Sequence, residues 1–219
     1  EPAPACAAAQ AALCDFLMRL VGVAGGTCCA SAKLRRHAYA ALMRVASVPA
    51  SAAKGFAVQR RAVDTLGALA TAGGMDADAL HGLELPLLFG ALVRDGTYVG
   101  WGVDSADWHL AQALLRQCGG ATAAAVMLDA VPMLAGLLDP KRDVMLRLTA
   151  LSLLEHLLAD ATFAASNDLS DWAEHIYEAM LLPNLVWRAG KPSEQIRLAA
   201  YRCLSRLTPL DKLAAAAFA

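Results

Sequence analysis

Residues 181–207 read LLPNLVWRAGKPSEQIRLAAYRCLSRL, and this stretch decides the fold. It contains two apolar runs with the spacing of an amphipathic helix, separated by the break Gly190-Lys191-Pro192. It also contains aromatic and basic side chains of the kinds that line binding sites: Trp187, Arg188, Arg197 and Tyr201. The stretch is therefore either the corner of a functional site or one unit of a repeated structure.

The spacing of the second apolar run recurs in three earlier segments. Each copy has apolar residues at relative positions 0, 4, 8 and 11, which fall on one face of a helix, and position 4 is always alanine. The four copies begin at Leu34, Val58, Leu146 and Ile196. Arginine follows the first position in three of them, as Arg35, Arg147 and Arg197. A weaker copy runs through Ala111, Leu115 and Cys118. The recurring alanine is small enough to let a neighbouring helix approach closely.

The segments that precede the last two copies also resemble each other. Val131-Pro132-Met133-Leu134 and Leu182-Pro183-Asn184-Leu185 share an aliphatic residue, then Pro, then Leu two residues later. Successive copies of the alanine from Ala62 to Ala200 are 49, 39 and 50 residues apart. These separations bracket the roughly 40–47-residue period of HEAT and armadillo repeats. The pattern predicts an all-α fold, namely an α-solenoid (α–α superhelix) of HEAT/armadillo-like repeats.

Gly, Pro, Asp and Ser divide the chain into nine predicted helices. Their spans are 5–22, 33–47, 54–72, 77–94, 105–118, 121–138, 142–159, 170–189 and 193–208. We pair them as 33–72, 77–118, 121–159 and 170–208, after an N-terminal helix at 5–22. Because the chain starts at Glu1 and not at Met, we interpret residues 1–219 as a single solenoid fragment of about four to five repeats.

Composition excludes several classes of protein. Hydrophobic residues, dominated by alanine, make up 58% of the chain, and the net charge of -1 gives no excess of positive charge for binding nucleic acid. The longest apolar run, Leu80–Val93, is interrupted by Gly, Glu and Pro, so we expect no membrane span. The six cysteines are scattered without a C-x-x-C spacing, as expected for reduced structural thiols of a cytosolic protein.

No recognisable catalytic motif occurs, so we predict no enzyme, no catalytic residues and no cofactor. Asp171, His175 and Glu178 fall on one helix face and have the geometry of a partial metal site. A solvated polar face explains the same spacing, and we assign no metal.

The recurring arginines suggest contacts between repeats, paired with turn acids such as Asp139 or Asp143. Partner binding is the alternative. The candidate residues for protein-partner or inter-repeat contacts are Trp187, Arg188, Arg197, Arg147, Tyr201 and Trp101.

The segment LPNLVWRAG, followed by IRLAAYRCLSRL, resembles the C-terminal HEAT repeats of the dynein axonemal assembly factor 5 family, the HEAT-repeat-containing protein 2 family. The resemblance is sharpest over Leu182–Leu207 and extends loosely through Val131–Leu158. The first hundred residues match only as generic helical repeats.

The resemblance implies a non-enzymatic cytoplasmic factor that helps to preassemble dynein arms before their delivery to cilia or flagella. Its partners would be axonemal dynein chains, chaperones or other assembly factors, with no nucleic acid and no membrane. Two alternatives stay open: a generic HEAT adaptor of the phosphatase-scaffold or transport-receptor type, and a helical metal-dependent enzyme.

Overall fold

A computed structural model describes residues 4–24, 31–49, 53–117, 120–160 and 172–207 of the chain, and in these residues all regular structure is helical. The helices are α1 (Pro4–Ala24), α2 (Ala32–Ser47), α3 (Ala53–Ala72), α4 (Ala77–Val93), α5 (Ala106–Gln117), α6 (Gly120–Leu137), α7 (Val144–Ala159), α8 (172–185) and α9 (Lys191–Leu207). A 3₁₀-helical segment, Arg94–Gly100, follows α4, and the middle of α8 is π-helical over Ile176–Leu181.

The observed helices agree closely with the predicted ones. Eight of them begin and end within two residues of the expected positions. The exception is α8, which ends at Leu185 although the pattern predicted a helix to residue 189. The all-α class is thus confirmed, while the pairing of helices into repeats stays a prediction.

Local side-chain chemistry explains where several helices begin and end. Ser31 caps α2 by accepting a hydrogen bond from the backbone N–H of Leu34 at 3.4 Å. Asp143 caps α7, where one carboxylate oxygen accepts from the N–H groups of residues 145 and 146 at 2.8 and 3.1 Å. After α3, Gly74 adopts φ = 70°, the left-handed conformation that closes helices without a Cβ clash.

The helices form two compact units. The first contains the described residues of Glu1–Leu88 together with His109–Leu114. Within it, α3 packs against both α1 and α2. The buried side chains of these three helices form the core of the unit: Cys14, Leu17, Val21, Tyr39, Leu42, Met43, Val45, Ala62, Leu66, Leu69 and Ala70.

The second unit contains Phe89–Trp108 and the described residues from Leu115 onward. Here α7 packs against both α6 and α9. Ala150 of α7 and Ala200 of α9 are fully buried, and the Cys203 thiol of α9 donates to the Leu151 carbonyl of α7 at 3.4 Å. A side chain that reaches the backbone of a neighbouring helix shows how closely the two helices approach. The small side chains at position 4 of the repeated pattern permit this approach.

The repeated apolar positions are buried in most of the copies. In α7 all four are buried: Leu146, Ala150, Leu154 and Leu157. Ala38, Val58 and Leu204 are half-buried, and Leu34, in the first turn of α2, is 53% exposed. No helix in the described part of the chain is both long enough and apolar enough to cross a bilayer.

Candidate protein-binding surface

The connection between α8 and α9, residues 186–190, places two of the predicted contact residues at the surface. Val186 adopts an extended backbone (φ = -57°, ψ = 129°), so the helix does not continue. The carbonyl of Arg188 accepts a hydrogen bond from Nη1 of Arg197 at 2.9 Å instead of from a helical N–H. Gly190 has φ = 103°, which only glycine adopts readily. Trp187 is 75% exposed, and Arg188 is exposed beside it.

Asn184, at the end of α8, connects three parts of the second unit. Its amide nitrogen donates to the carbonyls of Leu138 and Met180 at 2.9 and 2.7 Å. Its amide oxygen accepts two bonds from Arg147, from Nη2 at 2.5 Å and Nε at 3.1 Å. Both side chains are buried. Because the amide supplies two donors and an acceptor, it satisfies the carbonyls and the guanidinium at once.

Arg147 is a buried cation whose hydrogen bonds go to neutral oxygens. Among the described residues, its one further acceptor besides Asn184 is the carbonyl of Pro140, at 3.5 Å. Burial lowers the pKa of Arg147 below its ordinary value, the neighbouring Arg188 lowers it further, and Asp139 opposes both effects. The guanidinium nevertheless stays protonated, since arginine does not lose its proton in proteins.

The same repeat position has a different partner in the first unit. Arg35 on α2 donates through Nε to Oε1 of Glu84 on α4 at 2.7 Å. The neighbouring Arg36 contacts Oε2 of the same carboxylate at 3.3 Å. Glu84 is fully buried, whereas the side chain of Arg35 is 13% exposed and that of Arg36 is 49% exposed.

The expected pairing of the recurring arginines with turn acids is therefore wrong for Arg147. Asp143 is occupied as the cap of α7, and Asp139 accepts from the N–H of Lys141 at 2.8 Å. Carboxylates in a turn before a helix bind the free N–H groups nearby, which leaves the guanidinium to the next helix.

Arg142 fixes the segment that follows α4. Its Nη1 donates to the carbonyl of Val99 at 2.7 Å, and its Nη2 donates to those of Trp101 and Tyr98 at 2.7 and 3.3 Å. Trp101 is only 6% exposed and meets the Tyr98 ring edge-on, with centroids 6.4 Å apart. A side chain at Gly136 would place its Cβ 2.8 Å from the Tyr98 ring, so glycine is required there.

A shallow groove of about 360 Å³ lies along the exposed face of α9. Its lining contains Leu185 together with Glu194, Arg197, Leu198 and Tyr201, which follow the i, i+3, i+4, i+7 spacing of one helix face. Leu198 is 52% exposed and Tyr201 is 63% exposed. Exposed aromatic and aliphatic side chains beside two opposite charges make this face suited to contact another protein.

The six predicted contact residues thus divide into two groups. Trp101 and Arg147 are buried and serve internal packing, whereas Trp187, Arg188 and Tyr201 are exposed and Arg197 is half-buried. Sequence reasoning missed the roles of Asn184 and Arg142. Asn184 replaces Met133 at the variable position of the repeated aliphatic-Pro-x-Leu segment, and this polar residue in an apolar segment was a signal. Nothing local indicates that Arg142 reaches a segment about 40 residues earlier.

Metal-binding geometry does not occur among the described residues: no group of three or more His, Cys, Asp and Glu side chains is close enough to hold an ion. His175 and Glu178 are exposed, His175 meets the ring of Trp172 edge-on, and Asp171 lies outside the described residues. Burial raises the pKa of the Cys203 thiol to about 12, with Glu155 adding to the shift. Cys203 is therefore protonated at neutral pH and unsuited to act as a nucleophile.

Comparisons with known proteins support the resemblance seen in the sequence. The chain is 31% identical over 121 residues to human dynein axonemal assembly factor 5, which covers 54% of this chain and 14% of that protein. The mouse protein of the same name is 32% identical over 117 residues, covering 52% of this chain and 14% of its own length. The Xenopus laevis protein of that name is 36% identical over 76 residues, which cover 34% of this chain and 9% of that protein.

The remaining comparisons gave no match. No family model matches the chain, and no solved structure matches it. The chain spans about one seventh of the length of the human and mouse relatives. Over about half of its length, the chain thus resembles proteins of one name, dynein axonemal assembly factor 5, from three organisms.

Proposed function

We propose that this chain is part of a non-catalytic scaffold that takes part in the cytoplasmic preassembly of axonemal dynein arms. The names of its relatives support a role in dynein assembly. The recurring helical pattern supports a solenoid in which α2 pairs with α3, α4 with α5, α6 with α7, and α8 with α9. Such an array would bind dynein subunits or chaperones along its surface.

One observation carries the scaffolding part of the proposal: the exposed side chains of the α8–α9 region. Trp187 and Tyr201 are 75% and 63% exposed, and Leu198 is 52% exposed. Large aromatic side chains and arginine contribute most of the binding free energy at protein interfaces when a partner buries them.

The proposal is tested by affinity capture from the cytoplasm of ciliated cells. The immobilised chain should enrich dynein chains and chaperones, and the double variant Trp187→Ala, Tyr201→Ala should recover at least about fivefold less. Phe56→Ala is the matched control, because Phe56 is 64% exposed on α3, in the other unit. Enrichment of phosphatase subunits or nuclear-transport cargo in place of dynein chains would favour the generic adaptor.

A further inference from the structure

A small pocket lies among α7, α8 and α9 of the second unit and has an unusual balance of charge. Its volume is about 190 Å³. Arg142, Arg147 and Arg188 line it together with Asn184 and Ser193, and no Asp or Glu occurs among the lining residues that the structure describes. Three arginines therefore line one small space, and the described lining residues include no acid to balance them.

The hydrogen bonds of the three arginines leave positive charge uncompensated. Arg142 donates its two Nη groups to backbone carbonyls, while its Nε is buried and has no hydrogen-bond partner among the described residues. In the described part of the chain, the acceptors of Arg147 are all neutral oxygens. Arg188 is exposed, and its guanidinium makes no hydrogen bond or ion pair with another described residue. Buried charges are normally paired with an opposite charge, so this arrangement favours an external anion.

Repulsion between the arginines supports the same conclusion. Arg188 lowers the pKa of Arg147, which means that the two like charges are close enough to destabilise each other. Asp139 acts in the opposite sense but does not line the pocket. An anion between Arg147 and Arg188 would relieve this repulsion.

The size of the pocket limits the ligand. Sites for small molecules usually measure about 300–1,000 Å³, and a water molecule occupies roughly 30 Å³ in the liquid. A volume of about 190 Å³ suits one acidic side chain or one chain terminus, and not a nucleotide. Guanidinium groups bind planar carboxylates through paired hydrogen bonds.

We infer that this arginine pocket binds a carboxylate group carried by an acidic segment of a partner protein. The inference rests on the proposed function, because the scaffold's partner supplies the carboxylate. Trp187 precedes Arg188 in the chain and is 75% exposed, so an aromatic side chain is available for contact one residue away from the pocket lining. An aromatic residue beside an arginine is the combination that dominates protein interfaces.

The test uses the whole chain and two fluorescein-labelled peptides at low ionic strength. One peptide consists of four glutamates with an amidated C-terminus, and the other of four glutamines with a free C-terminal carboxylate. Fluorescence anisotropy should show saturable binding of at least one, which identifies a side chain or a chain terminus as the source. Arg188→Glu should weaken that binding by about tenfold or more, since it replaces an attraction by a repulsion.

Arg202→Glu is the matched control, because Arg202 is exposed on α9, does not line the pocket and undergoes the same change in charge. We expect it to weaken binding by less than about twofold. Equal losses in both variants would overturn the inference in favour of unspecific charge attraction, and so would failure of both peptides to bind. Circular dichroism of each variant verifies that it is folded. Peptide binding without capture of dynein chains would contradict the proposed function and leave the pocket assignment intact.

Discussion

Arg35 in the first unit and Arg147 in the second occupy the same position of the repeated sequence pattern, yet they bind different partners. Arg35 is 13% exposed and binds the fully buried carboxylate of Glu84. Arg147 is itself buried and binds the neutral amide of Asn184. In the first unit the fully buried charge is the carboxylate of Glu84, and in the second the buried charge is the guanidinium of Arg147. A repeated residue therefore fixes where a helix contact forms, but not which charge is enclosed in it.

The largest expected effect comes from removing the amide in the second unit. Asn184→Leu should lower the free energy of unfolding by about 3–5 kcal/mol, because it leaves the buried Arg147 charge without its short acceptor. The carbonyls of Leu138 and Met180 lose their donor as well. Urea denaturation measures the loss. Gln195→Leu on the exposed face of α9 is the control and should change stability by less than about 0.5 kcal/mol.

The next effect separates the two arginines that share Glu84. Arg35→Met should destabilise the first unit by about 2–3 kcal/mol, since the buried carboxylate keeps only the longer contact with Arg36. Arg36→Met should cost less than about 1 kcal/mol, because that side chain is 49% exposed and its pairing is screened by water. Equal losses in the two variants, measured in urea, would contradict the assignment of Arg35 as the main partner.

A further substitution makes the buried contact of the first unit resemble that of the second. Glu84→Gln replaces the buried acid by an amide that still accepts a hydrogen bond from Arg35. We expect a loss of about 1–2 kcal/mol, smaller than that of Arg35→Met, because an uncharged acceptor is cheaper to bury than a carboxylate. A loss larger than that of Arg35→Met would show that the negative charge itself is needed. Thermal unfolding of the unsubstituted protein, Glu84→Gln and Arg35→Met under the same conditions gives the order of their stabilities.

The smallest expected effect is a pH dependence of stability that arises in the first unit, from His81. In the first unit Nδ1 of His81 lies 2.8 Å from the hydroxyl oxygen of Tyr39, and burial lowers the pKa of His81 below 6.5, with Asp78 opposing the shift. The folded state thus binds the proton less readily than the unfolded chain. The stability gained by keeping His81 uncharged in the folded state is fully present above pH 6.5. It is lost as the pH falls toward the lowered pKa of His81.

We therefore expect the urea midpoint to fall between about pH 7.5 and pH 5, and to fall less in His81→Gln. The comparison of the two proteins isolates the histidine from the other titrating groups. An identical pH dependence in both would mean that His81 protonates equally well in the folded state.

The helices themselves were largely predictable from the sequence. The apolar spacing predicted both ends of eight helices to within two residues, because each pattern depends on residues within one or two turns of each other. The end of α8 was not predictable in the same way. Residues 186–189 contain no helix-breaking residue, and the helix stops where Val186 becomes extended and Arg197 binds the Arg188 carbonyl. That contact involves a residue nine positions later on another helix.

The contact residues divide in the same way, into features that the local sequence predicts and features that depend on distant segments. The sequence by itself determined that the chain is helical, that an alanine recurs in the helix contacts, and that arginines recur beside them. Only the tertiary structure decided that Arg147 meets Asn184, that Arg142 holds the segment around Trp101, and that Trp187 is exposed. The physical reason is range: helix formation follows from neighbours along the chain, whereas the partner of a charged side chain depends on what a distant segment brings to it.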